Sequence, residues 1–189
     1  TVFEKVGLIK HVPATYFNDV ADTIKLTKSK KDKIKRSKGR SAIRIPTETE
    51  ILDICKSGED QLNEFKEPGI KMEDLSEEIA AFLHTKLGGI IYYGVDDAGG
   101  IIGSNFKRQE LDQRLQNSIR HSIDPPPHID IRDKDILGSK VILIVIPPWD
   151  KKTLYQFSPK GRYMIRKGTN KFAVKPEELK KLTKGEYIA

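Results

Sequence analysis

One stretch, Asp74 to Gly103, constrains the fold more than any other part of this chain. Apolar residues recur at helical spacing through its first half, and Gly88-Gly89 ends that pattern. The next residues, Ile90 to Val95, are apolar, β-branched or aromatic over the length of a strand, and Asp96 to Gly100 has the composition of a turn. The pattern predicts a helix with Asp74 as its N-cap, then a buried strand that ends in two carboxylates.

Strand and helix patterns alternate along the rest of the chain, which indicates an α+β fold: a mixed β-sheet with flanking helices. At 189 residues the chain is long enough for one core and an appended subdomain. Leu137-Gly138 predicts a hairpin between two of the strands. Further strands are expected at Val2–His11, Gln61–Lys66, His128–Arg132, Lys140–Pro147, Leu154–Phe157 and Arg162–Arg166, and further helices at Ala14–Lys28, Glu48–Lys56, Arg108–Ser122 and Pro176–Leu182.

Positive charge is concentrated near the N-terminus. The whole chain carries a formal charge of +7, and Lys25 to Arg44 holds ten Lys or Arg against one acid, a net of +9, so the remainder carries 7 − 9 = −2. Such a segment binds polyanions by counterion release, but a solubilising linker or a localisation signal has the same composition. The candidate nucleic-acid contacts in it are Lys30, Lys31, Lys33, Lys35, Arg36, Lys38 and Arg40.

Composition excludes several classes of protein. A single cysteine, Cys55, allows neither a disulfide framework nor a multi-cysteine zinc site, and it favours a reducing intracellular compartment, cytoplasm or nucleus. No apolar run approaches the roughly 20 residues that span a bilayer. No phosphate-binding Gly-rich loop is present, so no nucleotide cofactor is expected. The four histidines lack metal-ligand spacing and are expected to be structural or exposed.

Acidic residues are the remaining candidates for chemistry. Strand periodicity places Glu64 and Lys66 on one face of the Gln61–Lys66 strand, and Glu59 precedes it. If Asp97 lay alongside, the three carboxylates could hold Mg²⁺ or Mn²⁺ and activate water on a phosphodiester. The spacing is equally consistent with a solvated Glu59, a surface Glu64–Lys66 pair and Asp97 as a turn residue.

The motifs resemble those of a known family. Glu59-x4-Glu64-Phe65-Lys66, Ile79 to Gly89, Gly94-Val95-Asp96-Asp97 and Tyr163 to Gly168 occur in the order found in the Alba-like nucleic-acid-binding domain of the Schlafen family. The resemblance covers about Gly58 to Leu182. It implies residues 58–189 as the Schlafen-type domain, with residues 1–57 as an N-terminal extension that carries the basic segment 25–44.

The resemblance also implies a function and a site. Domains of this type bind RNA or DNA, and in the Schlafen ribonucleases two lobes form a basic valley in which a Glu, Glu, Asp trio cleaves RNA with a divalent metal. By position, the trio falls on Glu59, Glu64 and Asp97, as catalytic residues and ligands of Mg²⁺ or Mn²⁺, with Lys66 as a phosphate contact. His84 departs from the Asn that is common in the family. Because one lobe is evident, a second Schlafen-like lobe is expected as a homo- or heterodimer partner.

Two main hypotheses follow. The first is a metal-dependent endoribonuclease, or the catalytic lobe of one, acting on structured RNA or small-RNA precursors. The second is a non-catalytic nucleic-acid-binding module, either a partner lobe or a DNA-binding transcriptional regulator. A protein-interaction scaffold with incidental positive charge is a third.

Overall fold

Residues 43–188 are described by the structure, a computed structural model, and they form four α-helices and eight strands in two sheets. The chain divides into two units at Ser41/Ala42, and the description concerns the second. The predicted strand Val2–His11, helix Ala14–Lys28 and basic residues from Lys30 to Arg40 lie outside the described residues. None of the helices within 43–188 has the length and apolar character needed to cross a membrane.

The first sheet has the strand order β1-β2-β5-β4. Strands β1 and β2 are parallel, with Glu64 opposite Ile91, and the other pairs are antiparallel. The sheet is therefore mixed, and the predicted α+β class is confirmed. The strands are β1 (Asn63–Lys66), β2 (Gly89–Tyr93), β4 (Asp130–Ile136) and β5 (Ser139–Ile146).

Helices cover both faces of this sheet because its central strands are apolar on both sides. Ile91 and Ile144 pack against α2 (Met72–Phe82) and α3 (Arg108–Ser122). Tyr92 and Leu143 point the opposite way, toward α1. Helix α1 (Glu48–Ser57), which the sequence assigns to the N-terminal extension, packs on this sheet through Ile51 and Cys55.

A second sheet, which the sequence did not predict as separate, has the order β3-β6-β7-β8 and is antiparallel. Met164 and Phe157 from this sheet join α2 in the larger core. Helix α4 contacts it through an ion pair between Lys167 and Glu178. The elements are β3 (Ile123–Asp124), β6 (Gln156–Phe157), β7 (Arg162–Lys167), β8 (Asn170–Ala173) and α4 (Pro176–Leu182).

The ends of α2 differ from the prediction. The helix begins at Met72 with Lys71 as N-cap, so Asp74 lies in the first turn and is not the cap. Met72 packs against the core, and this burial extends the helix at its start. The helix ends at Phe82 and not near Leu87, because Thr85 donates from both its N–H and its hydroxyl to the Phe82 carbonyl.

Candidate nucleic-acid interface

Glu64 lies on the face of β1 that packs toward α2, the same face as its register partner Ile91. Only 3% of the residue is exposed. One carboxylate oxygen, Oε2, forms an ion pair with Arg166 Nη1 at 2.5 Å. The other oxygen accepts a hydrogen bond from Lys66 Nζ. Two cations therefore neutralise this carboxylate inside the protein.

Arg166 is a fully buried arginine on β7. Its Nη2 donates to the carbonyl of Asp60 at 2.7 Å and to that of Asn63 at 3.2 Å, and its guanidinium stacks 4.6 Å from the centroid of the Phe82 ring. These contacts, together with the Glu64 ion pair, attach the second sheet to β1 of the first. We call Glu64, Lys66 and Arg166 the buried charge cluster.

Glu59 has a structural contact of its own. Its Oε1 accepts a hydrogen bond of 2.7 Å from the backbone N–H of Phe65. Among the strands of residues 43–188, β1 lies at the edge of the sheet. The Phe65 N–H points away from β2, because the carbonyls of Leu62 and Lys66 accept from Ile90 and Gly94 and backbone direction alternates along a strand. The Glu59 carboxylate thus satisfies an edge group that would otherwise be open to pairing with another chain.

Asp97 is exposed on the turn that follows β2. Its neighbour Asp96 holds the turn, since Asp96 Oδ1 accepts from the N–H groups of Ala98 and Gly100 at 2.9 and 2.6 Å. The turn packs tightly on α1: at Gly99, where φ is +82°, an added Cβ would lie 2.0 Å from the Cys55 carbonyl oxygen. The turn that carries Asp97 is therefore held on the α1 side of the sheet, whereas the Glu64 side chain lies on the α2 side.

The three predicted acids have different surroundings in the structure. Glu64 contacts two cations, Glu59 accepts from a backbone N–H, and Asp97 is exposed on the turn that packs on α1. Across residues 43–188, no three His, Cys, Asp or Glu side chains are arranged to hold a metal ion. Cleavage by Mg²⁺ or Mn²⁺ at these residues stays a prediction.

The predicted phosphate contacts are only partly within the described residues. Lys66 has a side chain that is 17% exposed and is paired with Glu64, so its charge is largely used internally. At the end of the basic segment, Arg44 Nη1 contacts Glu50 Oε1 at 2.7 Å. The backbone hydrogen bond from Thr47, followed by that from Arg44, lowers the pKa of Glu50 to about 2.

A second basic region was missed by the sequence analysis. Residues 151–184 hold eleven Lys or Arg and two acids, 11 − 2 = +9, whereas residues 45–150 hold eleven Lys or Arg and twenty acids, 11 − 20 = −9. The two values cancel when the chain beyond Arg44 is treated as one segment. A charge profile along the chain would have shown the second sheet and α4 to be strongly basic.

Part of this charge is neutralised by acids of α2. Lys160 contacts Glu77 at 2.6 Å, and Lys171 contacts Glu77 at 3.2 Å and Glu78 at 2.8 Å. Burial raises the pKa of Glu77, but the hydrogen bonds from both lysines outweigh it, and the net shift is downward. Other exposed cations of the region make no ion pair with an acid in residues 43–188: Lys151, Lys152, Arg162, Lys180, Lys181 and Lys184.

His84 is a buried structural histidine, as the sequence predicted. Its Nε2 accepts a 3.0 Å hydrogen bond from the backbone N–H of Tyr155, so Nδ1 carries the proton and donates to the Met164 carbonyl at 2.9 Å. Burial lowers its pKa, and Trp149 packs edge-on to it with ring centroids 5.8 Å apart. The Trp149 ring also packs edge-on against the Tyr187 ring, with centroids 5.8 Å apart.

Comparison with known proteins gives one family. Residues 59–175 match the family model described as Schlafen, AlbA_2, which covers more than half of the chain. This match confirms the resemblance stated from the motifs and indicates a domain of the nucleic-acid-binding type. No protein with a curated description matches the chain.

Two solved structures are similar. A crystal structure of a Corynebacterium diphtheriae protein superposes with a TM-score of 0.53 and 23% identity, over 67% of this chain and 24% of that one. The chain thus spans about a quarter of that protein, and the likeness concerns the fold alone. The N-terminal domain of a RecG-related DNA helicase protein from Nitrosomonas europaea gives a TM-score of 0.46 and 17% identity, over 56% of this chain and 76% of that domain.

Proposed function

Because the chain belongs to the Schlafen, AlbA_2 family, we propose that it is an RNA-binding domain that holds the phosphate backbone with exposed, unpaired lysines and arginines. The observation that carries this proposal is the net charge of +9 on residues 151–184, where several exposed cations have no acid partner within the described residues. A cation that is already paired with a protein carboxylate gains little from a phosphate, whereas an unpaired one releases the counterions of the nucleic acid.

Lysine provides most of this charge, and that choice affects selectivity. An ammonium group is a point charge that positions a phosphate but reads no base, so we expect binding with little dependence on sequence. The resemblance to this family implies binding of RNA or DNA. The alternative function is therefore that of a DNA-binding regulator. Matched RNA and DNA probes separate the two.

The test is a titration of the full chain against fluorescein-labelled RNA and DNA of one sequence, single-stranded and as a stem-loop, followed by fluorescence anisotropy. We expect RNA binding that weakens steeply between about 50 mM and about 200 mM salt, with a slope of about −0.7 per phosphate contact on a single strand. Binding that does not respond to salt, or no binding at the lower concentration, contradicts the proposal. Tighter binding to DNA supports the regulator.

Two finer expectations stay predictions. Endoribonuclease activity by the predicted trio requires Glu59, Glu64 and Asp97 to act on one cation, and the Asp97→Asn variant tests it. Pairing with a second Schlafen-like lobe is testable by light scattering after size-exclusion chromatography, alone and with RNA. A monomer in both conditions would contradict it.

A further inference from the structure

The exposed lysines are not spread at random over the second unit. Trp149 donates its backbone N–H to the Thr85 carbonyl at 3.1 Å, which brings the residue after Thr85, the exposed Lys86, beside the loop that begins at Trp149. At Gly185, an added Cβ would lie 3.0 Å from the carbonyl oxygen of Lys151. The segment after α4 therefore packs on the same loop.

We propose that these segments form the surface that contacts the RNA phosphates, an inference that rests on the proposed function. The surface consists of Lys86, Lys151, Lys152 and Lys184, all exposed and none in an ion pair with residues 43–188; we call it the lysine surface. They come from three separate parts of the chain, and the contacts of Trp149 and Gly185 gather them.

The loop at the centre of this surface is fixed in shape. Asp150 Oδ1 accepts hydrogen bonds from the N–H groups of Lys152 and Thr153 at 2.9 and 2.8 Å. Lys151 has a φ of +63°, the left-handed region that a non-glycine residue enters at a cost. A loop held in this way loses little conformational freedom when a ligand binds.

The position of Tyr187 favours phosphate contact over base stacking at the lysine surface. The Nζ of Lys151 lies 4.4 Å from the centroid of the Tyr187 ring, and Trp149 meets the same ring edge-on. One face of Tyr187 is therefore occupied by the ammonium group. Tyr187 orients a cation and offers no free stacking platform on that face.

Two acids lie in the same segments, Asp150 and Glu186. The carboxylate of Asp150 is engaged by the loop, since its Oδ2 also accepts from the Thr153 hydroxyl at 2.9 Å. Glu186 is exposed and makes no ion pair with residues 43–188. Four lysines against these two acids leave the surface positive, with the negative charge of Asp150 directed into the turn.

The opposite end of the first sheet provides a matched control. The lysine surface lies beyond the C-terminal ends of α2 and β5, whereas Lys71 and Lys140 lie at their N-terminal ends, and Lys107 adjoins Lys140 through the bond from Ser104 N–H to the Lys140 carbonyl. Lys56 follows Cys55, on which the turn after β2 packs. These four lysines are also exposed, so the control matches the lysine surface in net charge. Lys140 pairs with Asp133 at 3.3 Å and Lys56 with Asp53 at 3.7 Å, so Lys71→Gln with Lys107→Gln is the control for the pair Lys152→Gln with Lys184→Gln, in which all four lysines lack an acid partner within residues 43–188.

The experiment compares two variants of the full chain that lose the same charge. One carries Lys86→Gln, Lys151→Gln, Lys152→Gln and Lys184→Gln; the other carries Lys56→Gln, Lys71→Gln, Lys107→Gln and Lys140→Gln. Anisotropy with labelled single-stranded RNA should show a loss of roughly 10- to 100-fold for the first variant, with a salt slope smaller by about 3, and a loss below about threefold for the second.

Each outcome decides the matter. Equal losses in the two variants would mean that only total charge counts, and would overturn the lysine surface while leaving RNA binding in place. Failure of the unaltered chain to bind would overturn the proposed function as well. If the fourfold variant unfolds, as judged by circular dichroism, the pair Lys152→Gln and Lys184→Gln is used, with an expected slope change of about 1.4.

Discussion

The buried charge cluster and the lysine surface place charge in opposite ways. Arg166 and Glu64 are both almost inaccessible to solvent, and their charged atoms lie 2.5 Å apart, so the two charges neutralise each other away from water. The lysines of the lysine surface are exposed and have no acid partner among residues 43–188. Burial makes a charge pair necessary to the fold and unavailable to a ligand, whereas an exposed cation adds little stability and stays available.

The largest expected effect comes from breaking the buried charge cluster. Arg166→Met removes the guanidinium and leaves the buried Glu64 carboxylate with Lys66 as its one remaining cation within residues 43–188, and the carbonyls of Asp60 and Asn63 lose their donor. We expect the free energy of unfolding to fall by about 3–5 kcal/mol in urea denaturation.

Arg162→Met is the control, because Arg162 lies on the same strand but is exposed, and its expected effect is within about 0.5 kcal/mol. Adding Glu64→Leu to Arg166→Met should recover part of the loss, since the unpaired carboxylate is then gone. Similar unfolding curves for the two arginine variants would show that the cluster does not hold the sheets together.

His84 gives a smaller effect with a pH signature. His84→Leu removes two buried hydrogen bonds, the one to the Met164 carbonyl and the one from the Tyr155 N–H, for an expected loss of about 2–4 kcal/mol. In the unaltered chain, burial lowers the pKa of His84, so the unfolded chain binds the proton more tightly than the folded one. The stability contribution is complete above the ordinary histidine pKa of about 6.5 and is lost as the pH falls toward the folded value.

Urea denaturation between neutral and mildly acidic pH measures this dependence. We expect the loss on acidification to shrink in His84→Leu and to persist in His121→Gln, which changes an exposed histidine on α3. An unchanged pH profile in His84→Leu would assign the acid sensitivity to other groups.

Glu59 is one of the predicted catalytic acids, and its structural contact can be tested separately. Glu59→Ala removes the acceptor of the Phe65 N–H at the sheet edge, and we expect a loss of about 1 kcal/mol, because water can replace part of the bond at a partly buried site. Glu67→Ala, at an exposed acid just beyond β1, should change stability by less than about 0.5 kcal/mol. Equal free energies of unfolding for the two variants would show that Glu59 does not stabilise the edge of the sheet.

Local patterns predicted much of the fold. The alternation around Phe65 placed it in the core, and Leu137-Gly138 forms the predicted hairpin, with φ values of +50° and +81°. The sequence could not distinguish the second sheet from the first. Strands β3 and β6 have two residues each, and two residues are too few to show a periodic pattern. The predicted end of α2 failed because a Thr85 hydrogen bond, and not the apolar pattern, stops the helix.

The site was harder to predict than the fold because its contacts are remote in sequence. Arg166 is 103 residues from Asn63, to which it donates, and nothing in the local sequence selects Glu64 as its partner. A strand-end carboxylate that is buried beside an arginine has the same sequence spacing as one that binds a metal. The basic character of residues 151–184, by contrast, was readable from the sequence.

The smallest expected effect is that of Asp97→Asn, and it can break the comparison between the two regions. Asp97 is exposed and Asp96 holds the turn, so the variant should unfold within about 0.5 kcal/mol of the unaltered chain. Since no three acids of residues 43–188 are arranged to hold a metal ion, we also expect Asp97→Asn and the unaltered chain to give the same products from labelled stem-loop RNA in Mg²⁺ or Mn²⁺, measured on denaturing gels.

Asp97→Asn is a cleaner test of catalysis than any change at Glu64, because loss of activity in a Glu64 variant could result from loss of the fold. Asp96→Asn is the structural control: it weakens the acceptor of two turn N–H groups and should destabilise the chain more than Asp97→Asn. RNA cleavage that Asp97→Asn abolishes, with stability and RNA binding unchanged, would mean that the acids converge when RNA is bound. The buried charge cluster would then have to open. The ion pair between Glu64 and Arg166 would be one of two states of the protein and not a fixed support.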